Sequence, residues 1–365
     1  MMEINAAVIF EPSGKFALEK LELSEPRDNE VLVRIVGSGI CHTDLAGRDQ
    51  HLPIPLPSVF GHEGAGVVEK VGSRVSKVAP GDHVTLSWMC CGECPSCKSG
   101  NDPYCENFLQ LNFSGARPDG TTTMKKGDQV IHGNFFGQSA FADFALAEER
   151  NVVKVPKDVP LEILGPMGCG VMTGAGAVIN SLKASAGTSI AVFGAGTVGM
   201  SAIMGAVVCG CTTIIAVDIH PDRLKMAKEL GATHTVNAGE GDPVEAVKEI
   251  TGGGPNFSLE CVGNPAVFRQ AVDVLPLLGV CGLVGVVAPG TEVSLNMDLI
   301  MNGRAVRGVI EGDAIPDLFI PKLIELYAQG RFPFDRLIKF YPFNDIEKAV
   351  EDMEKGLVIK PVLRL

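Results

Sequence analysis

Positive charge is what this chain most lacks. Lys and Arg number 31 against 43 Asp and Glu, a formal charge of -12. A surface of that sign repels a phosphate backbone, which argues against a nucleic-acid partner. Aromatic side chains are scarce as well, at 6% with a single tryptophan. At Met1-Met2-Glu3-Ile4-Asn5 no basic segment leads into an apolar one, so no secretory signal is expected there. The 11 cysteines therefore read as reduced thiols and metal ligands of a cytoplasmic protein, with no disulfide framework. A membrane-spanning run is missing too. The longest uncharged stretch, residues 187–217, is cut by glycines at 194, 196, 199, 205 and 210 into strand, turn, helix and strand, the pattern of a buried core. Internal repeats and low-complexity segments are absent.

What the chain does have is length and glycine. Its 365 residues exceed a single core and predict two domains, and 43 glycines with 46% hydrophobic residues suit an α/β protein rich in tight turns. The first part reads as short strands at residues 6–10, 18–23, 31–36, 66–71 and 83–86, separated by Pro, Gly and Asp, which suggests a small barrel. Periodicity is lost over 107–133, where a surface excursion is expected, and strands resume at 141–146 and 151–155. Past Cys169 strands and helices alternate, the mark of βαβ units and a parallel sheet. Strands are predicted at 189–193, 213–217, 233–236, 257–261 and 280–287, with helices at 221–230, 243–251 and 265–275.

Three stretches carry chemistry. Gly194-Ala195-Gly196-Thr197-Val198-Gly199 follows one of these strands and opens a helix, with Asp218 ending the next strand 19 residues beyond Gly199. In that context the turn suits a dinucleotide: Gly194 for the bend, Gly196 for close approach of the pyrophosphate, Gly199 for packing of helix on strand. Asp218 would accept from the adenosine ribose and favour NAD, while Arg223 nearby could face a 2′-phosphate. Cys91-x2-Cys94-x2-Cys97-x7-Cys105 offers four thiolates, enough to close a structural zinc site. A ferredoxin-type cluster needs a different last spacing, and disulfides need an oxidising compartment. Cys90 breaks the spacing and is left out of the set. Finally Cys41 and His62, with Cys169 as candidate third ligand, would hold a catalytic zinc and leave one position open.

The order of these pieces, Gly39-Ile40-Cys41-His42-Thr43-Asp44, Gly61-His62-Glu63-Gly64-Ala65-Gly66, the four-cysteine run, Gly168-Cys169-Gly170 and the glycine-rich turn, resembles the zinc-dependent medium-chain alcohol dehydrogenases over essentially the whole chain. Gly39 to Leu45 and Arg48-Asp49-Gln50 resemble the benzyl (aryl) alcohol dehydrogenase branch. The resemblance implies a GroES-like β-barrel catalytic domain over 1–170, a Rossmann doubly wound parallel-sheet coenzyme domain over 171–308, and a return to the catalytic domain over 309–365. It implies two zinc ions per chain, NAD, and reversible oxidation of a primary alcohol to its aldehyde, with a homodimer or homotetramer as the assembly.

The same motifs assign particular residues. Thr43 matches the hydroxyl that contacts the substrate oxygen. The histidine that ends the family's proton relay is replaced here by Ala46, which leaves His51 as a candidate. Asp44 is expected to accept from His62, and Glu63 to visit the metal or hold the loop. His42 and Lys360 match bases that contact pyrophosphate, and Val284 and Val286 fall beside the coenzyme. Ser87, Trp88, Phe135, Phe136 and Ile310 would line the substrate pocket, where an aromatic wall favours benzylic or allylic alcohols. A broad aliphatic dehydrogenase is the alternative, followed by a zinc-free quinone or enone reductase and a non-enzymatic binding protein on the same fold. The presence of all seven metal ligands argues against the reductase, and the retained Thr43 and Cys169 argue against the binding protein.

Overall fold

The computed structural model describes residues 1–365. The chain divides into two compact units, one of Met1–Cys169, Ile315–Lys322 and Asp335–Leu365, the other of Gly170–Ala314 and Leu323–Phe334. The segment after Gly308 thus does not return as one piece, because residues 323–334 group with the second unit.

The first unit is a GroES-like barrel of two sheets. In the larger one the order runs Val152–Lys154, His83–Leu86, Glu63–Val71, Glu30–Gly39, Lys360–Arg364 and Ile338–Pro342, with Phe144–Glu148 also on Glu30–Gly39. Alternation along the central strand sends Val31, Val33 and Ile35 into a core with Val68, Val84, Leu86 and Val152. Between Glu30–Gly39 and Glu63–Val71 the register shifts twice, at Leu32/Val33 and Ile35/Gly37. Such bulges bend a strand and re-aim its outgoing end, which here delivers Ile40-Cys41. The same pairing sets Gly39 opposite Glu63, while the C-terminal strand pairs Val362 with Gly39. Residues 39, 63 and 360 are thereby brought together.

The stretch 107–133 departs from the expected excursion. It forms a helix, Phe108–Phe113, and a hairpin of Met124–Lys126 with Gln129–Ile131 that extends the smaller sheet beside Ala17–Leu23. Arg117 inside it is 5% exposed and bidentate to Glu30, itself 2% exposed, with Nη2 to Oε2 at 2.9 Å. That contact spans 87 positions, so no local pattern announces it.

The second unit holds a six-stranded parallel sheet in the order His234–Asn237, Thr213–Asp218, Ser189–Phe193, Phe257–Glu260, Val280–Leu283, Ala305–Gly308. Chain order reverses between Ser189–Phe193 and Phe257–Glu260, the place where such sheets open a crevice for ligands. The strand expected over 280–287 ends early, at Leu283. Val284 and Gly285 both donate back to the Glu260 carbonyl, at 3.0 and 3.1 Å, and turn the chain. Ala191, Phe193, Ile215, Val217 and Val247 make the core. No helix is long and apolar enough to cross a membrane.

Candidate active site and metal centres

Asp44 knits the first centre together. The helix His42–Arg48 starts from Cys41, and the carboxylate of Asp44, fully buried, accepts the Cys41 N–H at 2.8 Å, the Gly61 N–H at 3.1 Å and the His62 Nδ1 at 2.8 Å. That last bond keeps the proton on Nδ1 and presents the Nε2 lone pair, the arrangement that carboxylates impose on metal-ligating imidazoles. Burial alone would lower the His62 pKa, but the charge and hydrogen bond of Asp44 outweigh it and raise it well above its ordinary value while no cation is bound, so a cation would bind by displacing the Nε2 proton.

Cys169 arrives from the turn Gly165–Gly168. Ser87 Oγ donates to the Gly168 carbonyl at 2.8 Å, and a Cβ on Gly168 would stand 1.8 Å from the Leu86 carbonyl oxygen, so only glycine lets this turn lie on the strand. The ligand atoms of Cys41, His62, Glu63 and Cys169 all fall within 4.8 Å of one another. His62 Nε2 and Cys169 Sγ are 3.2 Å apart. A tetrahedral zinc with its usual bond lengths sets such a pair about 3.5 Å apart, so the donors fit that ion. The Cys41 thiol is pulled well below its usual pKa, chiefly by a hydrogen bond from Cys169 and against burial, as a thiolate ligand requires.

Around these ligands the expected residues take different roles. Thr43 Oγ1 is 3.7 Å from Cys41 Sγ. His42 and His51 are exposed, and Asp49 is a charged neighbour of His51. The expectation for Lys360 is corrected: it is 2% exposed, and its three donors go to Ile40 O at 2.9 Å and to both Glu63 oxygens at 2.8 Å. With no donor left over, it holds Glu63 rather than a pyrophosphate. Ser87, fully buried, donates its hydroxyl proton to the Gly168 carbonyl, so that proton is not available to a substrate. Ile310 belongs to the second unit and is 38% exposed.

Phe136 stacks on the His62 ring, centroids 4.4 Å apart and planes 21° from parallel. Its backbone sits at φ 50°, in the left-handed region that a bulky residue enters only when its surroundings demand it. Asn151 Nδ2 holds the Phe136 carbonyl at 3.1 Å. Phe135 meets His62 edge-on, and Phe113 and Phe108 meet Phe136 edge-on at 5.2 and 6.4 Å. Trp88 packs against Phe108, its buried Nε1 lacking a partner. Phe108 and Phe113 went unread in the sequence because their stretch shows no period. Gln138 also went unread. Its amide donates to His62 O and Ser87 O and accepts from Gly64 N, and the one available signal was a polar residue inside an apolar run.

The cysteine lobe forms the second centre. Sulfurs of Cys91, Cys94, Cys97 and Cys105 lie within 4.8 Å of one another, and Cys91 and Cys97 are 3.9 Å apart. Zinc–thiolate bonds in a tetrahedron space sulfurs about 3.8 Å apart. Backbone N–H groups of Glu93 and Cys94 point at Cys91 Sγ, which lowers its pKa to about 6, the Glu93 bond leading. This is a cage of donors arranged for a cation.

In the second unit the helix Thr197–Cys209 starts at Gly196 with no side-chain cap. A Cβ at Gly196 would meet nothing within 4 Å, so a cradle stands open there. Gly194 has φ +97°, and a Cβ on Gly199 would fall 1.8 Å from the Gly194 carbonyl. The helix N-terminus with open backbone beside it fits a dinucleotide phosphate. Asp218 accepts from Ala195 N at 2.6 Å and His220 N at 2.9 Å, while Arg223 keeps a buried Nε without a partner. Glu260, also unread in the sequence, accepts from Val262 N and Gly263 N at 2.8 Å and so ties down the loop at the sheet's reversal, next to Val284 and Val286.

A barrel with two zinc-type donor sets, followed by a dinucleotide fold, defines a zinc dehydrogenase. The chain belongs to the zinc-binding medium-chain alcohol dehydrogenases: the alcohol dehydrogenase GroES-like domain family matches residues 27–157 and the zinc-binding dehydrogenase family matches 197–329. It is 45% identical to a geraniol dehydrogenase of Castellaniella defragrans over 98% of this chain and 96% of that one. Among solved structures it superposes on an alcohol dehydrogenase zinc-binding domain protein from Burkholderia ambifaria, TM-score 0.98 and 52% identity, over 100% of this chain and 99% of that one. It also superposes on benzyl alcohol dehydrogenase from Acinetobacter calcoaceticus, TM-score 0.97 and 48% identity, over the whole of both chains.

Proposed function

We propose that the chain oxidises flat apolar primary alcohols, benzylic or allylic, to their aldehydes with NAD, the first unit serving as catalytic domain and the second as coenzyme domain. The observation that carries the substrate class is Phe136 stacked on His62 with Phe135, Phe108 and Phe113 around it. A second support is the likeness to relatives described as geraniol and benzyl alcohol dehydrogenases. Cys41, His62 and Cys169 would hold a zinc ion that would supply Lewis-acid polarisation of an alcohol oxygen, and NAD in the second unit would supply the hydride acceptor. The chain's own part is placement. Asp44 fixes the His62 tautomer, Thr43 stands beside Cys41 to take the hydroxyl proton outward, with His51 as a candidate next acceptor, and the phenyl rings exclude water. A zinc in the Cys91-Cys94-Cys97-Cys105 set would hold the lobe.

Burying a ring against these aromatics is worth roughly 1.5–3 kcal/mol. Benzyl, cinnamyl and geranyl alcohols are therefore expected to exceed ethanol in kcat/KM by about 10- to 100-fold, read from the absorbance of reduced nicotinamide. Equal or better use of ethanol would make this a broad aliphatic enzyme instead.

We infer NAD over NADP because the buried Asp218 carboxylate repels a 2′-phosphate, although the unpartnered Arg223 Nε would satisfy one. Asp218→Asn is expected to weaken NAD use about tenfold or more while raising NADP use. Initial rates with each coenzyme decide this, and a wild-type preference for NADP refutes it.

The edge strand Ala305–Gly308 is exposed along its length, with Val306 and the nearby Met297 and Met301 open to solvent. An unprotected edge of this kind invites pairing with a second copy, and a homodimer or homotetramer is expected by light scattering, a monomer at working concentration being the contrary result. Eleven cysteines, none in a disulfide, support a cytoplasmic site of action.

A further inference from the structure

Five thiols, not four, crowd the zinc-type lobe. Cys90 is 7% exposed, and its sulfur, the Cys97 sulfur and an Asp102 carboxylate oxygen lie within 4.8 Å of one another. Cys97 is the ligand common to this set and to Cys91-Cys94-Cys97-Cys105. The segment before Cys90 is held firmly, since Asn112 accepts the Met89 N–H at 2.8 Å and donates to the Met89 carbonyl at 3.0 Å. The guanidinium of Arg150 lies over the turn at Gly92, a positive charge beside a thiolate-rich lobe.

A tetrahedral zinc takes four donors and no more. Sequence spacing alone leaves Cys90 outside the set, but the fold turns it to the Cys97 side of the lobe. We propose that Cys90, set beside Cys97 and Asp102, is a reserve ligand for a thiophilic divalent cation, zinc or cadmium: when Cys97 is lost from the primary set, the Cys90 thiolate takes its corner and the ion stays bound. Cys91, Cys94 and Cys105 share no such second set. In the exchange one metal–sulfur bond breaks and one forms, with the Cys90 proton released and no change of oxidation state. The lobe can then lose the Cys97 sulfur by substitution without losing its metal.

The proposal rests on the lobe binding a metal at all, and the intact chain tests that first. Wild type, C90S, C97S, C94S and C90S/C97S are compared for zinc content by elemental analysis, and after cadmium exchange for thiolate-to-cadmium absorbance of the lobe ion. Wild type without lobe metal would refute the reading of the lobe itself. Given lobe metal in wild type, C97S is expected to keep the ion with a four-sulfur absorbance, and C90S to match wild type. The double variant should bind at least about a hundredfold more weakly than C97S in chelator competition, and C94S should lose the four-sulfur signature. The proposal is overturned if C97S loses its metal or fails to fold as C94S does, if it shows only three sulfurs, if the double variant binds as well as C97S, if C90S alone loses metal, or if C94S keeps four sulfurs.

Discussion

Cys169→Ala is expected to lower kcat/KM for alcohol oxidation by at least roughly a thousandfold and to take the zinc content from about two ions per chain to about one. The size reflects what a cation held by Cys41, His62 and Cys169 would supply, several kcal/mol of stabilisation for negative charge on an oxygen that water cannot replace. The variant tests the ligand cleanly because the turn that presents Cys169 is fixed by other groups. Ser87 Oγ holds the Gly168 carbonyl at 2.8 Å, and Gly168 lies tight on the Leu86 carbonyl oxygen. Cys169 is 9% exposed and its thiol contacts His62 Nε2 at 3.2 Å, so trimming it to alanine is expected to leave the fold in place. Thermal unfolding is expected to stay within a few degrees of wild type. A C169A protein that keeps wild-type turnover would show that the Cys41, His62 and Cys169 cluster is not the reacting centre.

Lys360→Met carries the largest expected cost in stability. Glu63 is wholly buried and Lys360 nearly so, and the ammonium meets both carboxylate oxygens at 2.8 Å. Burial pushes the Glu63 carboxyl up while Lys360 pulls it down, and the neighbouring carboxylate with Cys41 holds the Lys360 ammonium above its ordinary range against burial. Removing one partner strands a charge in a dry site, which costs about 3–5 kcal/mol and lowers Tm by on the order of 10 °C. Replacing both with apolar or neutral groups of like volume, as in K360M/E63Q, removes the stranded charge and is expected to recover most of that loss. Unchanged melting of K360M would mean the pair contributes nothing. Full recovery of Tm without recovery of rate in the double variant would assign Glu63 a part in the chemistry besides its part in the fold.

Much of the fold was legible in the order of residues alone. Ser189–Phe193 and Pro243–Thr251 fall where the patterns put them, because a strand run bounded by glycine and a helix between Pro and Gly-Gly are local devices. The strand predicted over 280–287 stops at Leu283 since its last residues hydrogen-bond to Glu260, a partner in another strand. The hairpin at Met124–Ile131 escaped for the same reason, its pairing with Ala17–Leu23 lying far upstream in the chain.

Local spacing determined the four-thiol lobe, the dinucleotide turn with its acid, and the alternation of strand and helix, because each is built within a few tens of residues and needs particular side chains at particular steps. Tertiary structure alone decided that Lys360 faces Glu63 and Ile40, that Ser87 serves Gly168, that Gln138 ties His62 to Gly64, and that Cys90 turns toward Cys97 and Asp102. Most buried polar groups take a partner wherever the fold supplies one. That choice depends on which backbones meet in space, and no periodicity along the chain encodes it.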